Sequence, residues 1–148
     1  MADIELVVDN RVRVVESIEQ MTLPAGDSIT AGQAVRIDGE TGRFVLAKAT
    51  DATEANFYGT ATRSVGAGEA LTAIAYGVLD GYDLDDLDYG DPVYLSDDDG
   101  DLSDAPGTVE VQVGMVIPGT SPVLGKPYDK LLRIVPARTK VVDQGGED

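Results

Sequence analysis

Val109-Glu110-Val111-Gln112-Val113 alternates apolar and polar side chains. In an extended chain this sends three valines to one face and the two polar groups to the other, the signature of a half-buried strand. Val35-Arg36-Ile37 repeats the pattern in miniature. Working outward, strand-like runs recur at 4–8, 43–47, 56–62, 71–79, 92–95 and 130–135. Turn signals separate them: Asp9-Asn10, Asp38-Gly39, Thr41-Gly42, Gly66-Ala67-Gly68, Asp99-Gly100 and Pro118-Gly119. With 17 Gly and 7 Pro spread along the chain, long helices are hard to place. Residues 11–21 are ambiguous, since Val14, Ile18 and Met21 suit a helix face and Val12-Arg13-Val14 a strand. The expectation is an all-β fold, a small single-domain β-barrel or sandwich of short strands. Residues 1–23 form an N-terminal arm or first hairpin, 24–142 the barrel, and 143–148 a polar, disordered tail.

An internal repeat runs through this pattern. Ala31-Gly32-Gln33-Ala34-Val35-Arg36-Ile37-Asp38 aligns with Tyr89-Gly90-Asp91-Pro92-Val93-Tyr94-Leu95-Ser96, each followed by a Gly-containing turn. Tyr58-Gly59-Thr60-Ala61 then aligns with Val113-Gly114-Met115-Val116. Two related hairpin elements over residues 30–117 follow, with the in-strand glycines marking bulges or bends.

The chain has 148 residues, 27 Asp+Glu against 11 Lys+Arg, a net charge of −16, and neither His, Cys nor Trp. One domain fits this length. Disulfides, Cys/His zinc sites, haem ligation and Ser-His or Cys-His catalysis are excluded. The charge argues against nucleic acid as a partner, and no apolar run approaches the ~20 residues of a membrane-spanning helix. Met1-Ala2-Asp3-Ile4-Glu5 carries acids where a signal peptide carries bases, so synthesis in a cytoplasm is expected. With 19 Asp and only 4 Lys, the composition suits a salty cytoplasm, where the Debye length shrinks to ~3 Å and self-repulsion is screened. An acidic protein of an ordinary host remains the alternative.

Two motifs tempt and fail. Asp97-Asp98-Asp99-Gly100-Asp101 looks like a calcium loop, yet aligning Gly100 with the invariant glycine puts Leu95 and Pro106 where carboxylates are required. A charged hairpin tip is the better reading, and no metal is expected. Gly119 to Lys126 has one residue too many for a phosphate-binding loop, and Pro127 stands where Ser or Thr should. Catalysis would have to rest on carboxylates, Lys, Tyr or Ser. With 5% aromatics and no Ser-x-x-Lys or Gly-x-Ser-x-Gly, neither enzyme activity nor a cofactor is expected.

Charge is uneven. Residues 80–104 hold 11 Asp and no base, whereas 126–140 hold Lys126, Lys130, Arg133, Arg138 and Lys140 against Asp129. The two segments are either complementary faces of neighbouring subunits or a solvated loop and an ordinary basic strand. Arg133 and Arg138 are therefore candidate partner contacts. So are Ile4, Leu6 and Val8 on one face of the first strand, unless that face is core.

From Gly90-Asp91-Pro92-Val93-Tyr94-Leu95-Ser96 outward, the chain resembles the capsid decoration (cement) proteins of tailed phages and related viruses. The resemblance extends through Ala31-Gly32-Gln33-Ala34-Val35, Ala49 to Ala55, Phe57-Tyr58-Gly59-Thr60-Ala61 and Val111-Gln112-Val113-Gly114-Met115-Val116. It implies a small β-barrel, commonly a homotrimer, on the exterior of an icosahedral virion, where it staples major capsid protein subunits together. The acidity and the long stretch before Gly26 depart from the family. A virus of a haloarchaeon would account for the first, and an arm adding a strand to a neighbour for the second. The other reading on the same shell is a head fibre or turret module that binds a receptor or glycan.

Overall fold

The computed structural model describes residues 3–8, 11–119 and 130–139. The described residues contain ten strands and no helix: β1 (Asp3–Ile4), β2 (Arg13–Pro24), β3 (Ala34–Ile37), β4 (Phe44–Leu46), β5 (Phe57–Ala61), β6 (Ala70–Asp80), β7 (Pro92–Leu95), β8 (Leu102–Ser103), β9 (Val111–Pro118) and β10 (Lys130–Thr139). They form one antiparallel sheet curled into a half-barrel, in the order β1-β8-β7-β9-β10-β6-β5-β3-β4. The tail at 143–148, Lys126, Lys140, the Asp9-Asn10 turn and most of the Gly119–Lys126 stretch lie outside the described residues.

Strand β6 organises the sheet. One edge carries β2 along its whole length, from Arg13 opposite Asp80 to Pro24 opposite Ala70. The other carries β5 at Ala73–Ile74 and then β10 at Gly77–Leu79. Residues 13–21 of the ambiguous segment are thus strand, and β2 pairs with β6 in the main sheet. The tertiary partner decides: β-branched residues at 12, 14, 15 and 18 suit extended backbone once β6 offers its edge.

The repeat seen in the sequence is a repeat of structure. Strands β4-β3-β5-β6 and β8-β7-β9-β10 follow the same order, joined where β6 meets β10. Across β3–β5, Val35 faces Gly59 but the next residue, Arg36, faces Phe57, leaving Tyr58 as a bulge. Across β7–β9, Val93 faces Gly114 but Tyr94 faces Gln112, leaving Val113 as a bulge. The turns correspond as well. Gly42 and Gly100 take left-handed φ of 71° and 73° where each hairpin reverses, a backbone state that side chains disfavour. The Gly32 N–H donates to the Ala61 carbonyl at 2.8 Å, as the Gly90 N–H does to that of Val116 at 2.7 Å.

Two apolar clusters form the core. The larger gathers Leu79, Val93, Leu95, Leu102, Val113, Leu132 and Ile134, and the smaller Ile29, Val35, Phe44, Val65 and Leu71. Ala34 faces the first and Val35 the second, so β3 is covered on both sides. Burial of Phe44, whose ring lies 5.6 Å from that of Tyr58, contributes about 2–3 kcal/mol to the smaller cluster.

Candidate interaction surfaces

Residues 3–8, considered above as a docking arm, lie on the chain's own barrel. β1 pairs with β8, Ile4 opposite Leu102, and Leu6 bridges to Tyr82. Ile4 and Leu6 are half-buried against the larger core cluster, which is why they stay home: a free arm would return both to water. Of the proposed docking face only Val8 is exposed, beside Val7 from the opposite face.

Two bases of β10 have partners within the molecule. Lys130 Nζ donates to the carbonyls of Leu87 and Asp85, inside the acidic 80–104 segment, and lies 5.6 Å from the centre of the Tyr89 ring. Arg133 sits on β10 opposite Val78 and donates to the Tyr76 hydroxyl at 3.4 Å, its guanidinium 5.8 Å from that ring's centre. Arg138 pairs through its backbone with Gln112 on β9. Lys130 thus touches the 80–104 segment of its own chain through two backbone carbonyls and a ring.

The charged hairpin tip binds the first strand. Ser96 Oγ donates to Asp3 Oδ1 at 2.6 Å, and one carboxylate oxygen each of Asp3, Asp98 and Asp101 lie within 4.8 Å of one another. Burial works to raise the Asp3 pKa, but hydrogen bonds from Asp98, Ser96 and Asp101 outweigh it and hold the group below the usual carboxylate range. Asp101 is pushed up to about 6, first by burial and then by the charge of Asp3. Asp98 is raised chiefly by its hydrogen bond to Asp3. Below about pH 6 a proton on Asp101 lets it donate to Asp3, a carboxyl–carboxylate contact that fastens β1 to the β7–β8 hairpin and loosens as Asp101 ionises. The sequence reading found Asp97–Asp101 but not Asp3, which joins them only through the β1–β8 pairing.

A groove of about 720 Å³ beside β4 gathers Arg36, Arg43 and Lys48 with Asp38, Glu54 and Asp99. Lys48 lies 3.8 Å from Glu54 and 3.7 Å from Asp99, so this cation is balanced by the chain's own acids.

Exposed apolar residues also lie on β2, at Val14, Val15, Ile18 and Met21. Its extra residues relative to β6 are Val15 and Ile18, which bulge outward and are the two most exposed of these. The sequence leaves this segment open between a helix face at Val14, Ile18 and Met21 and a strand at Val12-Arg13-Val14; the strand is what forms. The chain matches no protein-family model, no curated protein and no solved structure.

Proposed function

We propose that this chain is a structural virion protein that binds the outside of an icosahedral capsid and stabilises it by bridging major capsid protein subunits. The observation that carries the reading is the ordered motif series, because its members occupy equivalent places in the two halves of the fold. Ala31-Gly32 to Val35 and Gly90 to Leu95 open matching hairpins, and Gly59 and Gly114 sit at matching bulges. The motifs that carry the resemblance are the residues that build the barrel. A small half-barrel with an exposed strand, β2, on its surface suits attachment, and many weak contacts repeated by shell symmetry resist expansion by a packaged genome. The protein is made in the host cytoplasm and resides on the capsid exterior.

The experiment is cosedimentation of the purified protein with capsids stripped of it, followed by cryo-electron microscopy in molar salt. Saturable binding and a low boss spanning capsomers are expected. A projecting spike would favour the fibre or turret reading, and no binding would overturn both.

A further inference from the structure

Residues 3–8 hang on the barrel by few bonds. β1 pairs only Asp3 and Ile4 with β8. Beyond it come the Leu6–Tyr82 bridge, the Val7 N–H on the Gly81 carbonyl at 2.8 Å and the Asp83 N–H on the Glu5 carbonyl at 2.7 Å. Two cavities border the segment. One, of about 440 Å³, lies against residues 3–6, the 30–33 turn, Tyr82 and residues 100–102. The other, of about 220 Å³, lies against residues 3–5, Asp83, Asp86, Leu87 and Asp104. Among the described residues, every charged side chain lining either cavity is an acid.

The acids crowd most closely at Asp101. It meets Asp3 from β1 and Asp98 from its own turn, one oxygen of each within 4.8 Å of the others, and the charge of Asp99 reaches it as well. Other groups nearby are already engaged. Lys48 lies 3.7 Å from Asp99 and 3.8 Å from Glu54, and Asp97 accepts from the Thr108 N–H and hydroxyl. The Tyr82 hydroxyl donates to the Gly32 carbonyl, and burial keeps it neutral. Like charges this close in a partly buried site repel strongly. A proton on Asp101 removes one of the charges and supplies a donor that Asp3 can accept. Burial and the charge of Asp3 set the loss of that proton at about pH 6.

We propose that residues 3–8 form a strap that a proton on Asp101 holds shut and that comes off, with the rest of the barrel still folded, when Asp101 ionises. The open form returns Ile4 and Leu6 to water and bares the outer edge of β8. Salt acts in the same direction as acid, because it screens the repulsion that lifts the strap. Opening is local, since β1 contributes two residues to the sheet while β2, β6 and β10 carry its long pairings. The strap does not depend on the shell-binding reading.

The test is amide hydrogen exchange of the full chain, expressed as protection factors so that the intrinsic pH dependence cancels. Val7 and Asp83 report on the strap, because their N–H groups bond across its contact with the barrel. From pH 5 to pH 8 both should lose about tenfold in protection, the factor expected when a carboxyl moves from 3.8 to about 6 on closing. Amides of β5 and β6 should keep theirs. Molar potassium chloride at pH 8 should restore most of the loss. Asp101→Asn, a donor at every pH, should stay protected at pH 8, and Asp3→Asn should shrink the step by removing the charge that Asp101 faces. Circular dichroism checks that both variants fold. Protection at Val7 and Asp83 that is flat across this range, that falls together with β5 and β6, or that falls as far in either variant as in the wild type would overturn the inference.

Discussion

Gly59 and Gly114 are the same residue twice: each faces a valine, Val35 or Val93, across a strand pair that then skips one position. A Cβ on Gly59 would run into the Ile74 carbonyl of β6, and one on Gly114 into the Arg133 carbonyl of β10. In both halves the absent side chain lets the next strand close against the bulge, and so curls the sheet.

Gly59→Ala and Gly114→Ala should therefore each destabilise the fold by about 2–4 kcal/mol. Gly39→Ala, with nothing within 4 Å of its added Cβ, should change stability by less than about 1 kcal/mol. Chemical denaturation of the three variants side by side measures the contrast.

That relationship also marks how far the sequence is legible. Alternation located β3, β7 and β9, and the aligned Gly-x-x-Val runs exposed the duplication, because hairpin geometry is local and leaves a local trace. The role of β2 was not legible: its apolar residues fit either period, and only the long-range partner β6 selects strand. Two-residue β8 carries too few positions to show a period. Likewise Ile4 and Leu6 offered an apolar face without revealing whether core or partner would cover it, and Asp3 gave no hint that it meets Asp98 and Asp101. Contacts made by residues far apart in the chain are decided by packing, which no window of sequence contains.

The carboxylate cluster predicts an unusual pH response. Asp101 has a folded pKa of about 6 against an ordinary 3.8. Its stabilising contribution is complete below the ordinary value and is lost as pH rises through 6. Asp3, lowered on folding, contributes above the ordinary carboxylate pKa and loses that contribution in acid. The β1 attachment should be firmest between these limits. Asp101→Asn, a permanent donor, should raise Tm at pH 7 and above and leave it nearly unchanged near pH 4; thermal melts across that range check it.

Tyr82 ties the chain after β6 to the turn before β3. Its buried hydroxyl donates to the Gly32 carbonyl at 2.7 Å, and burial pushes its pKa upward. Tyr82→Phe should lower stability by about 1–2 kcal/mol, because the carbonyl loses its buried donor. Equilibrium unfolding in urea measures the difference.

Lys130 pins the acidic 84–89 segment through the Leu87 and Asp85 carbonyls and the Tyr89 ring. Lys130→Met keeps the aliphatic stem and removes the charge. Amide exchange in residues 84–89 should then accelerate by about fivefold or more, while exchange in β5 and β6 stays unchanged.

The central claim is residence on a capsid. Cryo-electron microscopy of intact particles from the source virus, with quantitative mass spectrometry of their proteins, tests it most directly. The account predicts this chain in fixed ratio to the major capsid protein, seen as a half-barrel seated across the junctions between capsomers. Mature particles that lack the chain, or that carry it only inside the shell, would contradict it.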